Sequence, residues 1–243
     1  MKAEENIMYL ELNDVSFSYD EIPVLIDITC GICRGEITGL VGANGTGKTT
    51  TIYSIIKKIQ PQKGEIKIAG ENIYSLRGDT FPVTYIPDTP LYYEELTVIE
   101  HLYFVKALYP KSEANIDTLI EKLDLKEHLY KVPGMLSKGT LQKLMIAISL
   151  LRQYEIFIAD EPFNGLDPRQ MSIFKDILNE MRQQNKAILI STHLLDIAEN
   201  ICDKYIFLHD GKVLAMGTKE ELIKKYNLPN HSSLENIYLS LIH

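Results

Sequence analysis

Tryptophan is absent from this sequence, cysteine occurs three times in 243 residues, and positive charge is in the minority, with 25 Lys and Arg against 33 Asp and Glu. No stretch reaches the roughly eighteen uninterrupted apolar residues that a helix needs to cross a bilayer, so this chain is not expected to span a membrane by itself. Residues 1–9 carry Lys2, Glu4 and Glu5 and lack the apolar centre of a secretory signal, which points to a cytoplasmic chain or one attached to the membrane through something else. The formal net charge of -8 argues against a protein whose main task is to neutralise phosphate backbones, and no nucleic-acid partner is expected. Among the cysteines only Cys30 and Cys33 form a C-x-x-C pair. No second pair and no clustered histidines stand ready to complete a zinc site, so the pair reads as incidental small residues rather than a metal or redox centre.

What is present is ordinary for one globular unit with a sizeable core: 45% of residues are hydrophobic and 24% charged. Residues 36–41 form a short apolar run, followed by a glycine-rich loop and then Ile52, Ile55, Ile56 and Ile59 at helical spacing, a helix that Pro61 would stop. Residues 155–159 and 187–190 read as buried strands, separated by a helix with Met171, Phe174, Leu178 and Met181 on one face. This alternation is the βαβ signature of a parallel sheet. Residues 88–151 differ, being helix-rich without convincing strands, and carry the apolar runs 102–105 and 107–109, most of which are expected in the core of an inserted helical subdomain. His209-Asp210-Gly211-Lys212 is a hairpin turn signal, residues 218–226 read as a helix, and Leu234, Ile237, Tyr238 and Leu241 form a last apolar stripe.

Two stretches carry chemistry. Gly42-Ala43-Asn44-Gly45-Thr46-Gly47-Lys48-Thr49 fits the phosphate-loop pattern G-x-x-x-x-G-K-S/T and lies between an apolar strand and a helix, as that mechanism demands. Gly42, Gly45 and Gly47 let backbone N–H groups turn inward, Lys48 reaches β and γ phosphates, and the Thr49 hydroxyl is a Mg²⁺ ligand. Residues 156–161 are an apolar strand ending in Asp160 and Glu161, the pattern that gives one carboxylate to the metal shell and another to the attacking water. Asp160 is the metal-side candidate and Glu161 the candidate general base.

With these motifs in place, the sequence resembles the ATP-binding subunits of ABC transporters over nearly its full length. Leu136-Ser137-Lys138-Gly139-Thr140 is similar to the family's signature sequence, Asn164-Gly165-Leu166-Asp167 to its D-loop, and Ser191-Thr192-His193 to its switch-histidine region. The resemblance implies an α/β P-loop NTPase (RecA-like) core with an antiparallel β subdomain and an inserted α-helical subdomain. Residues 1–87 and 152–226 would form the ATP-binding core, 88–151 the helical subdomain with the signature, and 227–243 a C-terminal tail. It also implies nucleotide contacts from Tyr19, Gly42, Ala43, Asn44, Gly45, Thr46, Gly47, Lys48, Thr49 and Thr50, with Tyr19 stacked on adenine. Lys48, Glu161 and His193 would be catalytic, Thr49 and Asp160 would hold Mg²⁺, and Ser137, Lys138, Gly139 and Thr140 would act in trans on ATP held by a second copy. Asp167 would cross that interface. Hydrolysis would then need a head-to-tail dimer with ATP between the copies, and the work would pass to a separate transmembrane permease subunit. Such a chain would lie on the inner face of the cell membrane.

Two departures from the family pattern stand out. Asp88, in Tyr85-Ile86-Pro87-Asp88, occupies the position usually held by the Q-loop glutamine, where a carboxylate can approach Mg²⁺ through water. Lys138 and Thr140 replace the usual second glycine and the glutamine of the signature; Lys138 either adds positive charge near the trans phosphate or simply faces solvent. These features, with the run from Tyr85 to Thr97, resemble ABC-2-type exporter ATPases and above all the Ecs-type bacterial subfamily. A soluble ABC ATPase working on ribosomes or DNA is the alternative reading, against which stand the acidic balance and the lack of a fused second half or long insertion. An unrelated P-loop kinase would leave the signature, the D-loop and His193 unexplained.

Overall fold

The computed structural model describes residues 8–78 and 80–242, so Lys2, Glu4 and Glu5 lie outside the described residues. The chain forms two compact units, one made of the segments up to Phe81 and from Met181 onward, the other of Pro82–Glu180.

The first unit opens with β1 (Leu10–Tyr19), β2 (Ile22–Ile32), β3 (Ile37–Val41), α1 (Lys48–Ile55), β4 (Lys63–Ile68) and β5 (Glu71–Asn72). β1 pairs antiparallel with both β2 and β4, and β5 extends β4. Along β1 the buried Leu10 and Leu12 alternate with the half-buried Glu11 and Asn13, as expected for an antiparallel sheet with one face on the core. β3 is buried at all five positions, the mark of a strand covered on both faces.

α1 ends at Ile55, whereas the isoleucine spacing predicts a helix running on towards Ile59. Lys57 takes a left-handed conformation (φ 62°), so the N–H groups of Lys58 and Lys57 turn back to the carbonyls of Tyr53 and Ser54. That is a Schellman stop with lysine where glycine is usual. The Lys57 ammonium donates to the Leu76 carbonyl at 2.9 Å and lies 4.4 Å from the centre of the Phe81 ring, contacts that hold this conformation.

The second unit contains β6 (Val83–Ile86), α2 (Val98–Leu108), α3 (Ile116–Lys122), α4 (Lys138–Leu150), β7 (Ile156–Asp160) and most of α5 (Pro168–Gln183). β6 and β7 are parallel neighbours with Val83 opposite Ile156 and Ile86 opposite Ala159. α4 is joined to β6 by the Thr84 hydroxyl, which donates to the Ser149 carbonyl at 2.8 Å. Thr97 and Glu100 form a reciprocal capping box at the start of α2, and Asn115 and Ser137 cap α3 and α4. Phe174 and Leu178 of α5 are buried on the face expected, joined by Ile177, and Phe174 packs against Phe157 and Phe163.

α2 departs from expectation. Val98, His101 and Leu102 are buried, but Tyr103, Phe104 and Leu108 are exposed, as are Leu91, Tyr92 and Tyr93 in the loop before it. Most of this apolar run therefore faces outward. A helix that is apolar all round can bury only the stripe that meets its own unit.

The chain returns to the first unit with β8 (Ala187–Thr192), α6 (Leu195–Ile201), β9 (Lys204–His209), β10 (Lys212–Gly217), α7 (Lys219–Lys225) and α8 (Leu234–Ile242). β3 lies between β8 and β9 and is parallel to both. β9 and β10 form a hairpin whose two turn residues, Asp210 (φ 45°) and Gly211 (φ 71°), both take positive φ, as a type I′ turn requires. Among the described residues, no helix is long and apolar enough to cross a membrane.

Candidate functional site

In the first unit the C-terminal ends of β3 and β8 bring two predicted elements to one edge. Val41 and Thr192 are register partners, so the loop from Gly42 and the segment carrying His193 leave adjacent parallel strands side by side. Such an edge is where ligands bind in parallel α/β sheets. His193 itself is exposed there.

The loop 42–49 is built by close backbone packing. A Cβ on Gly42 would collide with the Leu208 carbonyl oxygen of β9 and lie 2.7 Å from Thr46 Oγ1. Gly47 has φ 105°, and a Cβ there would stand 2.9 Å from a Leu25 methyl. The Thr46 hydroxyl donates to the Ala43 carbonyl at 2.9 Å, and the Gly211 N–H of the hairpin turn donates to the Thr46 carbonyl at 3.2 Å. Lys48 is folded over this loop, its ammonium donating to the carbonyls of Gly42 at 2.8 Å and Ala43 at 3.1 Å. Ala43, Asn44, Gly45 and Thr49 are exposed, while Thr50 is buried. Gly47 caps α1 without a side chain and the first turn carries no acidic residue of its own, an arrangement that favours an anion at the positive end of the helix. The cradle fits a phosphate chain, and the Thr49 hydroxyl is a hard oxygen of the kind Mg²⁺ takes. Tyr19, at the end of β1, is 45% exposed, and its ring meets that of Phe17 in a T-shaped pair at 4.9 Å.

In the second unit β6 and β7 end together and bring three carboxylates to one edge. Asp160, the last residue of β7, is 1% exposed, and Glu161 follows it. Asp88 lies two residues beyond β6 and is exposed. Glu161 takes φ 49°, a left-handed conformation that costs a side-chain-bearing residue about 1–2 kcal/mol.

Asn164 Nδ2 donates to Asp88 Oδ1 at 3.3 Å, a contact that sequence spacing does not signal across 76 positions. Gly165 of the same loop is left-handed (φ 83°), and Asp167 and Gln170 exchange hydrogen bonds of 2.8 and 3.2 Å at the start of α5. Ser137 caps α4: its Oγ accepts from the Thr140 N–H at 3.2 Å and lies 2.9 Å from the Thr140 hydroxyl. Ser137 and Lys138 are exposed, and Gly139 and Thr140 are buried. A Cβ on Gly139 would lie 2.5 Å from Gln170 Oε1 and 3.0 Å from the Gly165 carbonyl, so the signature residues and the D-loop residues pack directly together. Gln142 adds a further tie by donating to the Pro162 carbonyl at 3.1 Å. Gln142 and Gln170 were not singled out by the sequence; polar residues at a helix start and on an otherwise apolar face are the only signals they give. Burial holds the Lys143 ammonium below the ordinary lysine value while it donates to the Asp124 carbonyl at 2.8 Å.

Burial also pushes the Cys30 thiol up to about 12, which keeps it protonated and unreactive. Among the described residues, no three His, Cys, Asp or Glu side chains group to hold a metal ion by themselves.

Comparison with known proteins gives one answer. The family model described as ABC transporter matches residues 25–164. The ABC-type transporter ATP-binding protein EcsA of Bacillus subtilis is 37% identical over 237 residues, which is 96% of each chain. The lipopolysaccharide export system ATP-binding protein LptB of Haemophilus influenzae is 30% identical over 242 residues, covering 95% of this chain and 96% of that one. A solved ATP-binding subunit of an ABC transporter superposes with a TM-score of 0.90 at 38% identity, over 97% of this chain and all of the other. The ADP form of the cassette MJ1267, 22% identical with a TM-score of 0.77, shares the fold. With its mixed α/β cassette architecture, this chain belongs to the ABC transporter family and is the ATP-binding subunit of a transporter.

Proposed function

We propose that the chain binds ATP with Mg²⁺ and hydrolyses it as a head-to-tail pair of copies, driving export through a separate transmembrane permease subunit. The observation that supports this reading is the phosphate loop, where the left-handed Gly45 and Gly47, the start of α1 and the Lys48 ammonium come together.

On ATP binding, Lys48 exchanges the carbonyls of Gly42 and Ala43 for the β and γ phosphate oxygens, and the N–H groups of the loop take the rest of the chain. The Thr49 hydroxyl and the Asp160 carboxylate would hold Mg²⁺, which would supply neutralisation of phosphate charge. Tyr19 offers its half-exposed ring to adenine. Glu161 takes a proton from the attacking water, and His193 orients that water against the γ phosphate. The start of α4, with Ser137, Lys138, Gly139 and Thr140, supplies N–H groups and the positive end of a helix to the γ phosphate of the opposite copy. Asp167 crosses the same interface. Asp88, whose carboxylate accepts from Asn164, would contribute to holding the metal.

The exposed Tyr92, Tyr93, Tyr103 and Phe104 are the natural dock for an intracellular helix of the permease, with Asp88 and Glu95 nearby in sequence. A chain bound there sits peripherally on the cytoplasmic face of the membrane. Export is supported by relatives such as LptB, whose name places it in an export system. The test is Glu161→Gln. It should retain ATP binding, lose turnover and accumulate as an ATP-bound dimer on size-exclusion chromatography; ordinary turnover in that variant would refute the reading.

A further inference from the structure

Glu199 lies outside every motif described above, yet it holds three helices together. α6 has seven residues, too few to be stable alone, and its N-cap Leu194 contributes no side-chain hydrogen bond, so tertiary contacts decide where it lies. Its C-terminal end is fixed to β3. Ile37 N–H donates to Asp203 Oδ2 at 2.8 Å, Asp203 N–H donates to the Ile37 carbonyl at 2.8 Å, and a Cβ on Gly39 would stand 3.0 Å from Cys202 Sγ.

The middle of α6 is fixed by Glu199. One carboxylate oxygen accepts from Lys219 Nζ, at the start of α7, at 2.6 Å, and the other accepts from the Leu234 N–H, at the start of α8, at 2.8 Å. The Leu234 N–H first, and the Lys219 ammonium second, hold the Glu199 carboxyl below the ordinary carboxylate value. α8 is itself firmly seated, with Leu234 and Ile237 fully buried and Tyr238 stacked on Phe207 of β9 at 5.7 Å. At the N-terminal end of α6 the Leu194 N–H donates to Thr192 Oγ1 of β8 at 3.0 Å, and His193 stands between these two residues, two positions ahead of the helix.

We propose that Glu199 is a positioning residue for His193: by fastening α6 to α7 and α8 it sets where the histidine after β8 is held, and it makes the C-terminal helix a control on ATP turnover. The inference rests on the reading of His193 as part of the hydrolytic site. Loosening α6 moves His193 and leaves the phosphate loop in place, because that loop is supported by Leu208, Leu25 and Gly211, whereas the Glu199 carboxylate is bonded to Lys219 and Leu234.

The experiment uses the full chain with Glu199→Ala, Glu199→Gln, His193→Ala and the His193→Ala/Glu199→Ala pair, reading kcat for ATP hydrolysis and, separately, the Kd of a fluorescent ATP analogue. Glu199→Ala should lower kcat about ten-fold, the scale of a small misplacement of a catalytic group, with Kd changed less than about two-fold. Glu199→Gln, whose amide oxygen still accepts from Leu234 but which loses the ion pair with Lys219, should fall between Ala and the native residue. In the His193→Ala background, Glu199→Ala should add almost nothing. Native kcat in Glu199→Gln and Glu199→Ala, or a loss that adds in full to that of His193→Ala, overturns the inference. If Glu199→Ala does not fold, Glu199→Gln decides alone, and native kcat there has the same meaning. Native turnover in His193→Ala would instead overturn the role of His193 and the inference with it.

Discussion

Glu161 permits a test in which stability and activity move in opposite directions. The residue has φ 49° at the end of a fully buried strand, where a Cβ costs about 1–2 kcal/mol relative to the right-handed region. Glu161→Ala removes the carboxylate and keeps the Cβ, whereas Glu161→Gly removes both. Glycine's greater freedom in the unfolded chain takes back about 0.5–1 kcal/mol, so at the midpoints of the two ranges Glu161→Gly should be the more stable of the two by about 0.75 kcal/mol. For a chain of this size that is a difference of about 1–4 °C in Tm, measurable by differential scanning fluorimetry without nucleotide. Both variants lose the proposed general base, and steady-state phosphate release should fall about 10²–10⁴-fold in each. Equal Tm values, or Ala above Gly, would show that the backbone at 161 carries no strain. Turnover within a few-fold of native in either variant would show that the base lies elsewhere.

Lys48→Ala removes a charge-assisted contact to phosphate, and ATP affinity by calorimetry should weaken by about ten-fold or more. Gly139→Ala places a methyl 2.5 Å from Gln170 Oε1 and 3.0 Å from the Gly165 carbonyl; it should destabilise the fold by about 1–3 kcal/mol in urea titrations and prevent the ATP-dependent dimer while single-copy ATP binding persists. Glu199 has a lowered carboxyl value in the folded chain, so its stabilising effect is complete above the unfolded value, about 4.3, and is lost as pH falls through the folded one. Thermal scans should show native protein losing stability more steeply than Glu199→Gln on acidification below that value. Burial raises the thiols of Cys30, Cys33 and Cys202; none should react quickly with a thiol reagent at pH 8 until denaturant is added, and fast labelling of any one would contradict the packing described.

Local patterns made much of the fold legible. A short continuous apolar run with no helical spacing reads as a strand covered on both faces, which is why β3, β7 and β8 stand close to where spacing puts them, and Asp210-Gly211 reads as a tight turn. The elements that spacing misjudged were settled by distant partners. α1 ends early because Lys57 finds Leu76 and Phe81, and the outward face of α2 is invisible to periodicity because an apolar side chain reads alike whether it fills a core or awaits a partner. The link between Asn164 and Asp88, the left-handed backbone at Glu161 and the three-helix clasp of Glu199 each depend on pairings between segments far apart in the chain. Residue type alone carries none of these. Their roles, like those of the motif residues, are for the variants above to decide.

The central claim is that this chain is the ATP-driven subunit of a machine whose membrane part is another polypeptide. The most direct test is to tag it in its source cell, extract gently in detergent with ATP present, and identify what co-purifies in stoichiometric amount, comparing native protein with Phe104→Glu. A multi-span membrane protein that is captured by native chain and lost with Phe104→Glu is the predicted result. Ribosomes or nucleic acid in its place would contradict the claim, leaving an ATPase that works elsewhere.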